Sequence, residues 1–266
     1  MSWRIIEDTG IDIYRNLAID EALAKVNAGN EKKSCSIRFW QSDKSVVIGR
    51  FQCVHEEVNM PFCERKGISI ARRFTGGGAV YHDLGNLNFT VCADQKAEFV
   101  SEKLMHFYED YIGAVRDALG TLGIEAGYDD DRACIRIGER KVTGTAGWMK
   151  RGVSFLHGTL LISANLETLR EALNPEEGQP VFLRDKTRIR CKSSKRDIVT
   201  NICDEIADLP SLKELKEAIL RSIERFTGVE STPSRLTSEE RDTAEALYQS
   251  RYSRSTWNLG TPVQSE

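Results

Sequence analysis

Three consecutive glycines, Gly76, Gly77 and Gly78, separate one apolar strand-like run, ending in Arg72 and Arg73, from a second that opens with Ala79, Val80 and Tyr81. The pattern predicts a strand–turn–strand unit with the glycines at the turn. Lacking a Cβ, glycine visits positive φ and brings backbone N–H groups close to a phosphate or carboxylate. Two arginines just upstream, and Thr75, His82, Asp83 and Asn86 around the turn, supply polar partners. The spacing is not that of the familiar phosphate loops. Tyr81 stands where a dinucleotide fingerprint needs its third glycine, and no Lys-Ser or Lys-Thr pair closes the run as in a Walker loop. A glycine-rich hairpin without a ligand remains the alternative reading of the glycines taken alone.

The surrounding chain alternates helical and strand patterns, predicting a mixed α and β architecture. Tyr14, Leu17, Ala18, Ala22 and Val26 line one face of a helix over 14–27. Leu104, Tyr108, Tyr111, Val115, Leu119 and Leu122 step by three or four and form the strongest helical stripe, over 104–122. Strand-like runs occur near 35–40, 45–51 and 68–73, then at 133–137, 141–146 and 154–162, with Gly138 and Gly152 at plausible turns. Residues 176–196 are polar and basic without period, and read as a mobile surface loop. Beyond them Leu212, Leu215, Ile219, Ile223 and Phe226 recur at helical spacing, and Thr237 with Glu240 forms a capping-box pair ahead of a further helix. No linker isolates this part, so residues 1–266 are expected to be one domain with a helical C-terminal portion over about 205–266.

A chain of 266 residues that is 40% hydrophobic can bury such a core. Its net charge of −3 argues against a general nucleic-acid binder. No apolar segment reaches the length of a membrane span, and the acidic start does not resemble a leader, so a soluble, cytoplasmic protein is expected. The seven cysteines are scattered without a C-x-x-C pair and read as reduced thiols. Cys53, His55 and Cys63 only faintly suggest a metal site.

A second constellation is Lys141-Val142-Thr143-Gly144-Thr145-Ala146, followed by His157-Gly158-Thr159-Leu160-Leu161. Aimed inwards from its strand, Lys141 would be a compact cation able to hold a carboxylate oxygen and a phosphate together; aimed outwards, it is a solvated surface lysine.

Taken in order, Arg72-Arg73-x-Thr75-Gly76-Gly77-Gly78-Ala79-Val80-Tyr81-His82-Asp83-x-Gly85-Asn86, Lys141-Val142-x-Gly144-x-Ala146 and His157-Gly158-Thr159-Leu160-Leu161 resemble the lipoate-protein ligases. The likeness begins with the helix motif Asn16-Leu17-Ala18-x-Asp20-Glu21-Ala22-Leu23 and extends to Tyr252-Ser253-x-x-x-Trp257-Asn258-x-Gly260. It implies an α+β catalytic domain of the biotin/lipoate protein ligase fold, a mixed and largely antiparallel sheet flanked by helices. It also implies ATP, Mg2+ and lipoate as ligands, lipoyl-AMP as the intermediate, and lipoyl-domain acceptors such as the 2-oxoacid dehydrogenase E2 and the glycine cleavage H protein. By the same resemblance Arg73 would contact the nucleotide. Gly78, Ala79, Val80 and Tyr81 would line the adenylate and lipoyl pocket, with Gly76 and Gly77 in the same turn. Lys141 would bridge the acyl carbonyl and the phosphate, and Thr75, His82, Asn86 and His157 are further candidates. The segment Lys192-Ser193-Ser194-Lys195-Arg196 resembles the family's adenylate-covering loop.

Two departures stand out. Ala133 and Cys134 occupy the place where the family often has a carboxylate, with Asp129, Asp130 and Asp131 slightly earlier, so the magnesium ligands are left open. The chain also lacks the C-terminal accessory domain of many bacterial members, which implies a separately encoded partner. Cys134 near Lys141 raises an octanoyltransferase using a thiolate acyl intermediate as a competing reading. A noncatalytic lipoyl-binding protein is the alternative of another class.

Overall fold

The computed structural model describes residues 2–7, 9–31, 33–184 and 191–263. Its strands in chain order are β1 (Trp3–Glu7), β2 (Cys35–Trp40), β3 (Ser45–Ile48), β4 (Ser69–Arg72), β5 (Val80–His82), β6 (Asn86–Asp94), β7 (Gly127–Asp129), β8 (Cys134–Ile137), β9 (Arg140–Lys141), β10 (Thr143–Lys150), β11 (Val153–Leu161), β12 (Phe182–Leu183), β13 (Ser231–Ser234) and β14 (Thr261–Pro262). The helices are α1 (Ile13–Gly29), α2 (Val54–Glu57), α3 (Met60–Lys66), α4 (Leu104–Thr121), α5 (Leu166–Ala172), α6 (Leu212–Thr227), α7 (Ser238–Leu247) and α8 (Ser255–Asn258).

Among the described residues the main sheet has six strands in the order β10-β11-β6-β2-β1-β13. Its pairings are antiparallel from β10 to β2 and parallel from β2 to β13. Two three-stranded sheets, β4-β3-β5 and β7-β8-β9, stand beside it. The architecture is thus mixed and largely antiparallel, as expected.

Strand alternation decides what each face carries, because successive side chains point to opposite sides. Ile37 and Phe39, Leu87, Phe89 and Val91, and Leu156 and Leu160 join one core with Phe107, Tyr111 and Val115 of α4 and Leu215 and Ile219 of α6. The alternate residues form two rows on the opposite face. Register places Ala146, His157, Thr90 and Arg38 in one row, and Gly144, Thr159, Asn88 and Trp40 in the next. Above this polar face lies α1, capped by Asp12, whose carboxylate accepts from the amides of Tyr14 and Arg15. Helix α7 packs with α1 through Leu17, Ala18, Ala244 and Leu247.

The C-terminal portion is not purely helical. Ser231–Ser234 forms β13, which lies parallel to β1 at the edge of the main sheet. Its Ser-Thr-Pro-Ser sequence has no apolar alternation to read. Pro233 is tolerated there because an edge strand leaves one side free of ladder bonds. Two capping boxes start the helices around it. One is Ser211 with Glu214 and the other is Thr237 with Glu240, both with side chain and backbone bonds made in each direction. Thr237→Ala should therefore cost about 1 kcal/mol, read as a lower melting temperature with unchanged activity.

Candidate active site

The glycine turn joins two strands as expected, but as a crossover and not as the hairpin of the alternative reading. β4 and β5 both pair with β3, the first parallel and the second antiparallel, so residues 73–79 pass over the end of the central strand from one edge to the other. Two buried arginines hold this path. Arg72 donates to the carbonyls of Gly49, Gln52 and Trp257. Arg73 Nη2 donates to Gly76 O at 2.6 Å and Gly78 O at 2.7 Å, Nη1 to Val47 O at 3.1 Å, and Nε to Thr75 Oγ1 at 3.1 Å. Burial pulls both guanidinium pKa values down to about 10. Gly77 has φ +89°, a conformation that disfavours any residue with a Cβ. Its carbonyl abuts Gly49, where a Cβ would lie 2.2 Å from the oxygen. Gly49 is thus a site residue that the sequence did not single out.

The loop lies against β10. A Cβ on Gly77 would meet Ala146 at 3.6 Å, and one on Gly144 would meet Val80 Cγ1 at 3.0 Å. Two cavities open on either side of this contact, sharing Val80, Gly144 and Thr159. The smaller, about 30 Å³ and mainly apolar, is lined among others by Leu17, Trp40, Arg73, His82, Asn88 and His157. The larger is a cleft of about 490 Å³ bordered by Ala79, Tyr81, Lys141, Ser194, Arg196 and Asp197.

Lys141 stands where the chain leaves β9 for the main sheet. Its backbone is fixed from both sides, the N–H donating to Ile198 O at 2.9 Å and the carbonyl accepting from Thr200 N at 3.1 Å. The side chain is only partly exposed. Burial lowers its pKa, while the neighbouring Cys134 and Asp197 oppose that shift. Among the described residues no carboxylate lies within ion-pair distance of the ammonium. Asp197 is instead bound to Arg136 at 2.9 Å and Arg132 at 3.3 Å, and Asp129 to Arg136 at 2.6 Å. These carboxylates are committed to arginines and do not form a magnesium cage. The lysine expected to be catalytic therefore faces the same cleft as the end of the glycine loop, as an unpaired cation.

Of the segment expected to be a mobile loop, 185–190 lie outside the described residues, and with them part of the basic run from Arg184 to Arg196. The part from 192 onwards is tied across the cleft. Lys192 N donates to Phe51 O, Ser194 N to Glu57 Oε1, and Arg132 to Lys195 O. The Ser194 hydroxyl accepts from Ala79 N at 2.8 Å and Gln52 Nε2 at 2.9 Å. Glu57, buried in α2, also lies 3.6 Å from Arg196.

The remaining candidates divide. His82 lines the small cavity; burial drives its pKa down to about 3, and among the described residues its Nδ1 has no partner. His157 Nε2 is 2.8 Å from Thr75 Oγ1. Asn86 lines neither cavity and braces the β5–β6 turn, bonded to Asp83 N, Tyr81 O and Thr159 Oγ1. Cys134 is fully buried, absent from both linings, and its thiol is pushed up by that burial. Two of the seven thiols read as separate are paired: Cys53 and Cys191 are in sulfur–sulfur contact with Cα atoms 5.4 Å apart. Glu56 lies close to this pair, whereas His55 and Cys63 of the faintly suggested metal set do not join it. His55 accepts from Phe182 N, and Cys63 is buried in the core.

The family model described as the lipoyl protein ligase A/B catalytic domain matches residues 12–224. Lipoate-protein ligase A subunit 1 of Thermoplasma acidophilum is 33% identical over 255 residues, covering 92% of this chain and 91% of that protein. Lipoate-protein ligase LplJ of Bacillus subtilis is 32% identical over 247 residues, covering 92% and 70%. Among solved structures, a T. acidophilum protein with bound lipoic acid superposes with a TM-score of 0.82 at 29% identity, covering 98% of this chain and all of the other. A lipoate-protein ligase A bound with ATP gives 0.80 at 30% identity, covering 98% and 99%. A bi-partite lipoate protein ligase of T. acidophilum, described with its E2 lipoyl domain, gives 0.80 at 28% identity, covering 100% and 98%. The chain belongs to the lipoyl protein ligase A/B catalytic-domain family, and its fold is that of the lipoate-protein ligases.

Proposed function

We infer that the chain is an ATP-dependent lipoate-protein ligase. A lipoate carboxylate oxygen attacks the α-phosphorus of ATP, the bond to the β-phosphate breaks, and lipoyl-AMP and pyrophosphate result. The amine of an acceptor lysine then attacks the lipoyl carbonyl, AMP leaves, and the amine's proton is lost to solvent. Neither step requires an enzyme nucleophile; both require fixed geometry and neutralised oxygens.

The observation that carries this reading is the convergence of Lys141 and the end of the glycine loop on one cleft, which shares Val80, Gly144 and Thr159 with a small apolar cavity. The acyl chain lies along the cleft past Val80 with its end directed at the apolar cavity by His82, which must widen from its roughly 30 Å³ to admit it, and the carboxylate meets Lys141. The nucleotide occupies the larger cleft beside Ala79 and Tyr81, under the segment carrying Ser194 and Arg196. Arg73 acts by clamping the loop. Magnesium would arrive with the triphosphate and neutralise its oxygens, since the arginine-bound Asp129 and Asp197 offer it no protein cage. The buried, protonated Cys134 gives no support to a thiolate acyl carrier.

Residues 1–266 act as one catalytic unit in the cytoplasm, where ATP is supplied, and work with a separate accessory subunit. The acceptors are lipoyl domains of the E2 and H-protein kind. The bi-partite Thermoplasma ligase supports this division of labour. The test is incubation with ATP, lipoate and a lipoyl domain, with and without the accessory protein, following pyrophosphate and acceptor mass. ATP-dependent acceptor modification, accelerated by the accessory protein, is expected. Transfer from an acyl carrier without ATP would overturn the ligase reading, and a rate unchanged by the accessory protein would overturn the partnership.

A further inference from the structure

The buried polar groups behind the glycine loop form a hydrogen-bond chain that runs in one direction. Arg38 of β2, Thr90 of β6 and His157 of β11 are register neighbours on the site face of the sheet. Asp20 descends onto them from α1 and, like Arg38, is completely buried. Its Oδ1 accepts from Arg38 Nη1 at 2.8 Å and Thr90 Oγ1 at 2.9 Å, and its Oδ2 lies 3.0 Å from His157 Nδ1.

A carboxylate paired with a guanidinium accepts hydrogen bonds and donates none, so His157 Nδ1 carries the hydrogen. Burial lowers the His157 pKa and keeps the ring neutral, which leaves Nε2 bare. The Thr75 hydroxyl at 2.8 Å must then donate to Nε2. Its oxygen lone pair is left to accept Arg73 Nε, and Arg73 in turn holds the carbonyls of Gly76 and Gly78. A reversed imidazole would point an N–H at Thr75 and turn its hydroxyl hydrogen towards the guanidinium or an apolar wall. Asp20 touches neither cavity, yet it fixes every donor direction up to the loop.

We propose that Asp20, pinned by Arg38, is a positioning residue for acyl-adenylate formation, acting through His157 and Thr75 on the seating of Arg73 and the glycine loop. This rests on the ligase reading above. The chain sets a direction of polarity, and the proposed reaction requires no proton to move along it.

The test combines NMR of the imidazole nitrogens with ATP–pyrophosphate exchange. The sequence holds only four histidines, so His157→Gln assigns the signals. The wild type is expected to show His157 protonated at Nδ1 and bare at Nε2. Asp20→Asn should mix the tautomers, because an amide can either donate or accept, and raise KM for ATP about tenfold as the loop loses its fixed seat. Asp20→Glu should restore most of both. Thr75→Val should raise the same KM while Thr75→Ser leaves it near wild type. The double variant Thr75→Val with Asp20→Asn should be no worse than the worse single, because both cut one chain. A variant that merely folds less well would lower the apparent kcat and leave KM and tautomer unchanged.

An Nε2-protonated ring in the wild type, or multiplying effects of the two single changes, would overturn the proposal. If Asp20→Asn does not fold, the Thr75 pair and the wild-type spectrum still decide it. A wild type with the expected tautomer but no exchange activity would fail the ligase reading instead.

Discussion

Lys141→Met is expected to slow lipoyl-adenylate formation by about 10²–10³-fold without unfolding the protein, the scale of loss seen when one charge-stabilising donor is removed from a transition state. Methionine keeps the length and apolar character of the lysine stem and deletes only the ammonium. No partner is orphaned by the change, because among the described residues no carboxylate forms an ion pair with that ammonium. The cation therefore contributes little to folding and is free to meet charge that develops on the carboxylate and the α-phosphate. Arginine should not rescue the activity, since a planar fork cannot take the place of a compact point charge in a cleft fitted to lysine. A pH profile gives the same residue a second signature. Burial lowers its pKa from the ordinary lysine value of 10.5, so the active ammonium is present below the lowered value and is lost as pH rises through it. Adenylation should fall along an alkaline limb in the wild type, and the residual rate of the methionine variant should lack that limb. Pyrophosphate release measured across pH, with circular dichroism to check folding, decides the matter. A methionine variant within threefold of the wild type would remove Lys141 from the chemistry.

How much of this was legible in the sequence depends on whether the signal is periodic. α4 lies on its apolar stripe because one buried face repeats every three or four residues, whereas α1, found close to its expected range, is buried nearly all round. α7 begins where Thr237 and Glu240 mark it. β13 left no such trace, for its four residues bury no alternating face. The glycine turn was visible, but its path was not, because the sequence around Gly76–Gly78 does not reveal that β3 lies between the two strands it connects. Lys141 stood out only through resemblance, since spacing cannot tell an inward lysine from a solvated one. Arg38 was illegible for a related reason, and Asp20 was visible only as part of the helix motif shared with the ligases, with no role attached. Neither residue's own element shows its partner, and their pairing with His157 depends on the register of three strands and the descent of a helix onto them. Polar residues on a buried face are a usable hint, because a fully buried charge needs a partner.

Gly49→Ala should impair the enzyme about 10²-fold in kcat/KM, although residue 49 bears no side chain and lines neither cavity. The added Cβ would stand 2.2 Å from Gly77 O, 3.1 Å from Gly77 C and 3.2 Å from Gly76 C. All three are backbone atoms, so no rotamer change relieves the overlap, and the loop itself must move by roughly 1 Å to regain ordinary contact distances. Such a shift pulls Gly76 O and Gly78 O off Arg73, which now holds them at 2.6 and 2.7 Å, and displaces Ala79 and Val80 where the two cavities meet. Overpacking of this kind also costs about 1–3 kcal/mol of stability. Gly120→Ala separates steric injury from the loss of glycine as such. Gly120 lies within α4, where an added Cβ meets nothing within 4 Å, so alanine should leave activity unchanged and stabilise the helix by up to about 1 kcal/mol. Exchange kinetics and thermal melts on the two variants give opposite expected signs in stability and a hundredfold contrast in activity. A Gly49→Ala enzyme that melts and turns over like the wild type would mean that the loop seen against residue 49 is not the loop that binds substrate.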